Sequence, residues 1–68
     1  MLKVEIGKCY IYTNFLYPGL KYRVKVLQLI EEKFANVKIV NILGEHPKMS
    51  ASIGDTLWLR VKFLNKNT

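Results

Sequence analysis

The sequence predicts an all-β domain, five short strands curled into one small antiparallel barrel. Three observations lead there. Apolar and polar residues alternate with a period of two in four separate stretches, which is the repeat of a pleated strand and not of a helix. Turn-forming residues interrupt these stretches at Gly7, at Pro18-Gly19, at Gly44 and at Gly54-Asp55. The chain has 68 residues and no Gly/Ser/Pro linker, enough for one domain but short for a sandwich of two sheets, and closing a single sheet would also remove its edges.

The first strand runs over Lys8–Thr13. Its alternation puts Cys9, Ile11 and Thr13 on the inner side and Lys8, Tyr10 and Tyr12 on the outer side. Tyr17-Pro18-Gly19-Leu20 follows as a type II turn, because Pro presets φ and Gly accepts a positive one. From Tyr22 a longer strand begins, with Val24 and Val26 inward and Arg23 and Lys25 outward, until Leu27 and Leu29 take over the apolar phase. Such a parity change marks a bulge or sharp bend. Glu31-Glu32-Lys33 is a solvated hairpin tip. Alternation resumes at Asn36-Val37-Lys38-Ile39 and shifts again at Val40 and Ile42, a second bend. A short fourth strand is expected around Met49–Ser52. After the Gly54-Asp55 turn, Leu57, Leu59, Val61 and Phe63 line the inner side of the last strand, and Thr56, Trp58, Arg60 and Lys62 the outer side. The rival reading is a helix over Val26–Ala35, since Leu27, Ile30 and Phe34 fall at i, i+3 and i+7. It lacks a capping Ser, Thr, Asp or Asn anywhere in Gly19–Ile30.

The composition narrows the chemistry. Half the residues are hydrophobic and 24% are charged, so a core is available and disorder is not expected. No apolar stretch approaches the roughly 18 residues that span a bilayer, and the first residues lack the apolar block of an export signal. The single cysteine, Cys9, allows no internal disulfide and suggests the reducing cytosol. One His, one Cys and one Asp would have to meet to build a triad, and no spacing brings Cys9, His46 and Asp55 together. Cys9 reads as a small buried hydrophobe and His46 as a solvated loop residue. No metal site is expected, because such sites need three or four clustered ligands. No Gly-rich phosphate loop is present, so neither an enzyme nor a cofactor is expected.

Several stretches together resemble an SH3-like barrel of the Tudor/KOW kind. They are Ile6-Gly7-Lys8-Cys9-Tyr10, Lys21-Tyr22-Arg23-Val24-Lys25-Val26-Leu27, Val37-Lys38-Ile39-Val40 and Ile53-Gly54-Asp55-Thr56-Leu57-Trp58, within residues 5–64. The resemblance implies that the last strand pairs with the first and the first with the second, and that the protein binds nucleic acid or peptide segments without catalysis. It does not extend to a methyl-ligand cage: the stretch after the third strand, Asn41-Ile42-Leu43-Gly44, has no aromatic, although Phe15, Tyr17 and Tyr22 could line the first loop. An OB-fold fits less well, because these barrels run longer and no helix separates the third and fourth strands.

The functional signal is on the outer wall. The expected outward residues are Lys8, Tyr10, Tyr12, Arg23, Lys25, Trp58, Arg60 and Lys62, three aromatics among five cations, and the net charge is +6. Alternate residues on a strand lie about 6.6–6.8 Å apart, close to a stretched nucleotide step. Bases would stack on Tyr10, Tyr12 and Trp58 while the cations met phosphates. The same residues would also suit an acidic protein partner, since Tyr, Trp and Arg dominate binding hot spots. A third reading is self-assembly through the Met49–Ile53 edge. Against all three stands a merely solvated exterior, because Tyr and Trp can cover Lys stems and a positive net charge alone keeps a small protein dissolved.

Overall fold

The computed structural model describes residues 3–14, 16–17, 19–45 and 51–66. The chain is all-β: β1 (Cys9–Thr13), β2 (Lys21–Ile30), β3 (Phe34–Gly44), β4 (Thr56–Arg60) and β5 (Leu64–Lys66), with a one-turn 3-10 helix at Val61–Phe63. All five strands belong to one antiparallel sheet in the order β4-β3-β2-β1-β5. The sheet is not closed. β4 and β5 lie at its opposite edges, and the 3-10 turn carries the chain from one edge to the other.

Valine, isoleucine and tyrosine suit the pleated, half-buried surface of β2 and β3. Val24, Val26, Ala35, Val37 and Ile39 lose all their exposure on its inner side, and the rival helix over Val26–Ala35 is replaced by a hairpin. The parity changes correspond to skipped register. Leu27 lies between Val26↔Val37 and Gln28↔Asn36, and Val40 between Val24↔Ile39 and Arg23↔Asn41. A further irregularity leaves out Leu43, before Gly44 meets Lys21. These extra residues bend both long strands, so that one sheet wraps its own core. The hairpin tip is tight: the Lys33 N–H donates to the Ile30 carbonyl at 3.0 Å. Glu31 and Glu32 stand there at φ 53° and 57°, the type I′ signature that right-handed strand twist favours.

In β1 the expected sides are reversed. Tyr10 is 6% exposed and belongs to the core, Tyr12 packs against it, and Cys9, Ile11 and Thr13 take the other side, half-buried. The pairs Cys9↔Lys25 and Ile11↔Arg23 place these residues among outward cations, so Cys9 is not the buried hydrophobe the alternation suggested. Sequence offers two strand-compatible stripes here, and volume decides between them. A small core is filled better by two rings than by Cys and Thr, provided the phenol oxygens find partners. The Tyr10 hydroxyl does: it accepts from the Glu5 N–H at 2.9 Å and donates to the Lys3 carbonyl at 3.3 Å. Tyr12 stacks on Tyr22, with ring centroids 6.2 Å apart.

The expected last strand is two elements. β4 ends at Arg60, and Val61–Phe63 coil once before β5 pairs with β1 through Tyr12↔Leu64 and Ile11↔Asn65. Leu57 and Leu59 face inward and Trp58 outward, as the alternation predicts. The fourth strand expected around Met49–Ser52 is not formed at Ala51 and Ser52, and Met49 and Ser50 lie outside the described residues. Ser52 instead opens the turn before β4. Its carbonyl accepts from the Asp55 N–H, its N–H donates to Asp55 Oδ2 at 2.9 Å, and Gly54 supplies φ 98°. The turn at Tyr17–Leu20 is closed by the Leu20 N–H on the Tyr17 carbonyl, with Pro18 outside the described residues, but Gly19 does not take the positive φ that the expected type II turn requires. Its neighbour Gly44 is held by space, since a Cβ there would collide with the Gly19 carbonyl oxygen.

Candidate functional site

The outward face of β2, β3 and β4 is built from residues that pair directly across the sheet. Lys25 stands opposite Lys38 and Lys38 opposite Thr56. Asn36 stands opposite Gln28 and Trp58, and Phe34 opposite Ile30 and Arg60. Because paired residues point to one side, Lys21, Arg23, Lys25, Lys38 and Arg60 share this face. All five acids, Glu5, Glu31, Glu32, Glu45 and Asp55, lie outside the strands. The strand residues of this face are therefore purely cationic in their charged groups. Lys25 and Lys38 are directly opposed like charges, a cross-strand pairing that disfavours the sheet until something negative lies across it.

Two rings stand among these cations. Trp58 is 51% exposed and Phe34 41% exposed. With Asn36 opposite Trp58, Phe34 and Trp58 are diagonal neighbours, about 7–8 Å apart by strand geometry. Asn36 sits between Gln28 and Trp58 with its Oδ1 buried and without a hydrogen-bond partner. An orphaned acceptor of this kind is uncommon in a folded protein.

Of the eight residues expected on one wall, the structure brings four to this face: Arg23, Lys25, Trp58 and Arg60. Tyr10 is corrected to a core residue, and Tyr12 lies on the inner side against Tyr22, so neither offers a ring to a ligand on this wall. Lys8 precedes β1, and its ammonium pairs with Glu5 at 3.2 Å. Lys62 lies in the 3-10 turn, its Nζ 5.2 Å from the Phe63 ring centroid. The single continuous wall is not formed, because β4 pairs with β3 and not with β1. Lys21, Lys38 and Phe34 were missed. The signal for Lys38 was available, since it alternates with buried Val37 and Ile39, whereas Phe34 stands before the alternation that begins at Asn36 and figured only in the rival helix.

Elsewhere the inner aromatic pair shapes one titration. Burial pushes the Tyr22 phenol above its ordinary pKa, and Tyr12, Glu45 and Asp55 add to the shift. Among the described residues no three His, Cys, Asp or Glu side chains gather as metal ligands. His46 lies outside the described residues, so the Cys9, His46 and Asp55 grouping has no geometry to assess. Of the loop aromatics, Tyr17 packs against the core and Tyr22 is buried, while Phe15 lies outside the described residues.

A groove of about 880 Å³ opens at the end of the molecule where the N-terminal segment, the β2–β3 hairpin tip and the 3-10 turn meet. Its apolar lining is mostly aliphatic, with Val4, Leu29, Val61 and Leu64 joined by Phe34. Comparison with known proteins finds no matching family, curated protein or solved structure.

Proposed function

We propose that this chain is a non-catalytic binding module of the SH3-like kind that takes single-stranded nucleic acid on the outward face of β2, β3 and β4. One observation carries the reading: five cations and two exposed rings share a face whose strands contain no acid. Trp58 and Phe34 each stack a base, worth about 1–3 kcal/mol per base. Lys21, Arg23, Lys25, Lys38 and Arg60 neutralise phosphates, and a phosphate across Lys25 and Lys38 relieves their mutual repulsion. A duplex suits this face less well, because its bases are already stacked on one another and cannot lie on the rings. Likeness to SH3-like domains is supported by the chain's final strand and β2 flanking β1, although that final strand is Leu64–Lys66 and not the Thr56–Phe63 stretch expected there.

The test is an oligonucleotide titration read by Trp58 fluorescence, the chain's one tryptophan, at two salt concentrations. Quenching should deepen with oligonucleotide length and weaken with salt, and duplex of the same sequence should quench less. An unchanged signal from folded protein at low salt removes the proposal. Lys25→Glu with Lys38→Glu should abolish the quenching while circular dichroism stays unchanged.

A further inference from the structure

We infer that the groove between the N-terminal segment, the β2–β3 hairpin tip and the 3-10 turn is a second site, meeting the nucleic-acid face at Phe34 and Arg60, which docks a peptide segment carrying one large aliphatic side chain flanked by acidic residues. The floor argues for the aliphatic anchor. Val4, Leu29, Val61 and Leu64 line it beside Phe34, and among the described residues no Ser, Thr, Asn, Gln or His lines the groove. A nucleobase set against the aliphatic part of this lining would hold ring nitrogens and carbonyls against methyl groups, whereas a leucine or isoleucine side chain carries nothing to satisfy.

The rim argues for the acids. Lys3, Lys33, Arg60 and Lys62 border the same groove against a single carboxylate, Glu32. A fatty acid would answer this rim with one charge at one end. A peptide with acids on both sides of its anchor answers it on several walls at once, in the pattern of charge complementarity that steers association.

The walls are held in advance. The Val61 N–H donates to the Lys33 carbonyl at 2.9 Å and ties the 3-10 turn to the hairpin tip. The Tyr10 hydroxyl holds the opposite wall through Lys3 and Glu5. Glu31 and Glu32 keep positive φ at the tip, a backbone state that non-glycine residues seldom adopt, and so set the direction in which Glu32 and Lys33 leave the hairpin. A preformed groove loses less ordering entropy when it is filled.

The experiment uses the full chain and a fluorescein-labelled synthetic peptide with one leucine between two pairs of glutamates, followed by anisotropy at low salt. Saturable binding is expected, weakened about tenfold or more when the leucine is replaced by serine, as burial of one leucine side chain implies. Lys62→Glu changes an exposed side chain and should weaken the peptide several-fold with the melting curve unchanged. Val61→Asp should remove binding, with circular dichroism confirming the fold. Lys25→Glu with Lys38→Glu, which lie outside the groove, should leave the peptide bound and so separate this site from the nucleic-acid face. Equal binding of the serine peptide, or no effect of either groove variant, overturns the inference. So does tighter, displacing binding of laurate, or an oligonucleotide that competes fully and is itself lost in the groove variants.

Discussion

At the scale of single residues, tyrosine is the side chain whose place hydropathy leaves most open, because its ring belongs inside and its hydroxyl needs a partner. Tyr10 resolves this by burying the ring and spending the hydroxyl on the backbone of Lys3 and Glu5. Tyr10→Phe should therefore cost about 1 kcal/mol in denaturant unfolding, and amide exchange at Glu5 should accelerate as the N-terminal segment loosens. Tyr22 makes a pH-dependent prediction. Its phenol holds its proton more tightly in the folded protein than in the unfolded chain, first because it is buried and then because of Tyr12, Glu45 and Asp55. The resulting stability is present below the ordinary tyrosine pKa of about 10 and is lost as pH rises through the higher folded value. Thermal midpoints should fall above about pH 10, and Tyr22→Phe should lessen that fall. An equal alkaline fall in the variant would show that this phenol is not its source.

Elements carry their own strain and their own sidedness. The β2–β3 hairpin turns through two glutamates at positive φ, a conformation that favours asparagine and glycine. Glu31→Asn with Glu32→Gly should raise unfolding stability by about 1 kcal/mol, since left-handed backbone costs an ordinary residue about that much. An unchanged midpoint would mean that the glutamates are compensated elsewhere. In β4 the two sides separate cleanly: Leu59 is 8% exposed and Trp58 51%. Leu59→Ala should cost about 2–5 kcal/mol, and Trp58→Ala should leave the melting curve nearly in place while weakening oligonucleotide binding. Greater damage from the tryptophan change would reverse the assignment of sides. The strands of β2 and β4 were legible because one of their stripes is charged and cannot be buried. β1 was legible as a strand but not in its sides, because either of its stripes could pack, and the bulges showed only as changes of parity.

Across the whole molecule, charge is sorted by position: the acids sit outside the strands, and five strand cations share one wall. Neutralising five phosphates of a single strand gives a slope of log affinity against log salt of about −3.5, and each cation removed should lower its magnitude by about 0.7. A titration series at several salt concentrations, with Lys38→Gln beside the parent chain, measures both. A flat dependence would place the binding elsewhere. The alternation, the turn residues and the excess of lysine are local properties, and they were enough to establish an all-β chain, the bends near Leu27 and Val40, and a cationic outer side of β2. Two features had to wait for the tertiary structure. One is the break at Val61–Phe63, invisible because the apolar alternation runs through it while the chain crosses from the β4 edge to the β5 edge. The other is which strands are neighbours: β3 and not β1 lies beside β4, so Trp58 finds Phe34 and Lys38 where Tyr10 and Tyr12 were expected. Alternation records only whether a side chain points in or out, whereas adjacency in a sheet depends on backbone hydrogen bonds between segments far apart in the chain, and those are identical for every residue but proline.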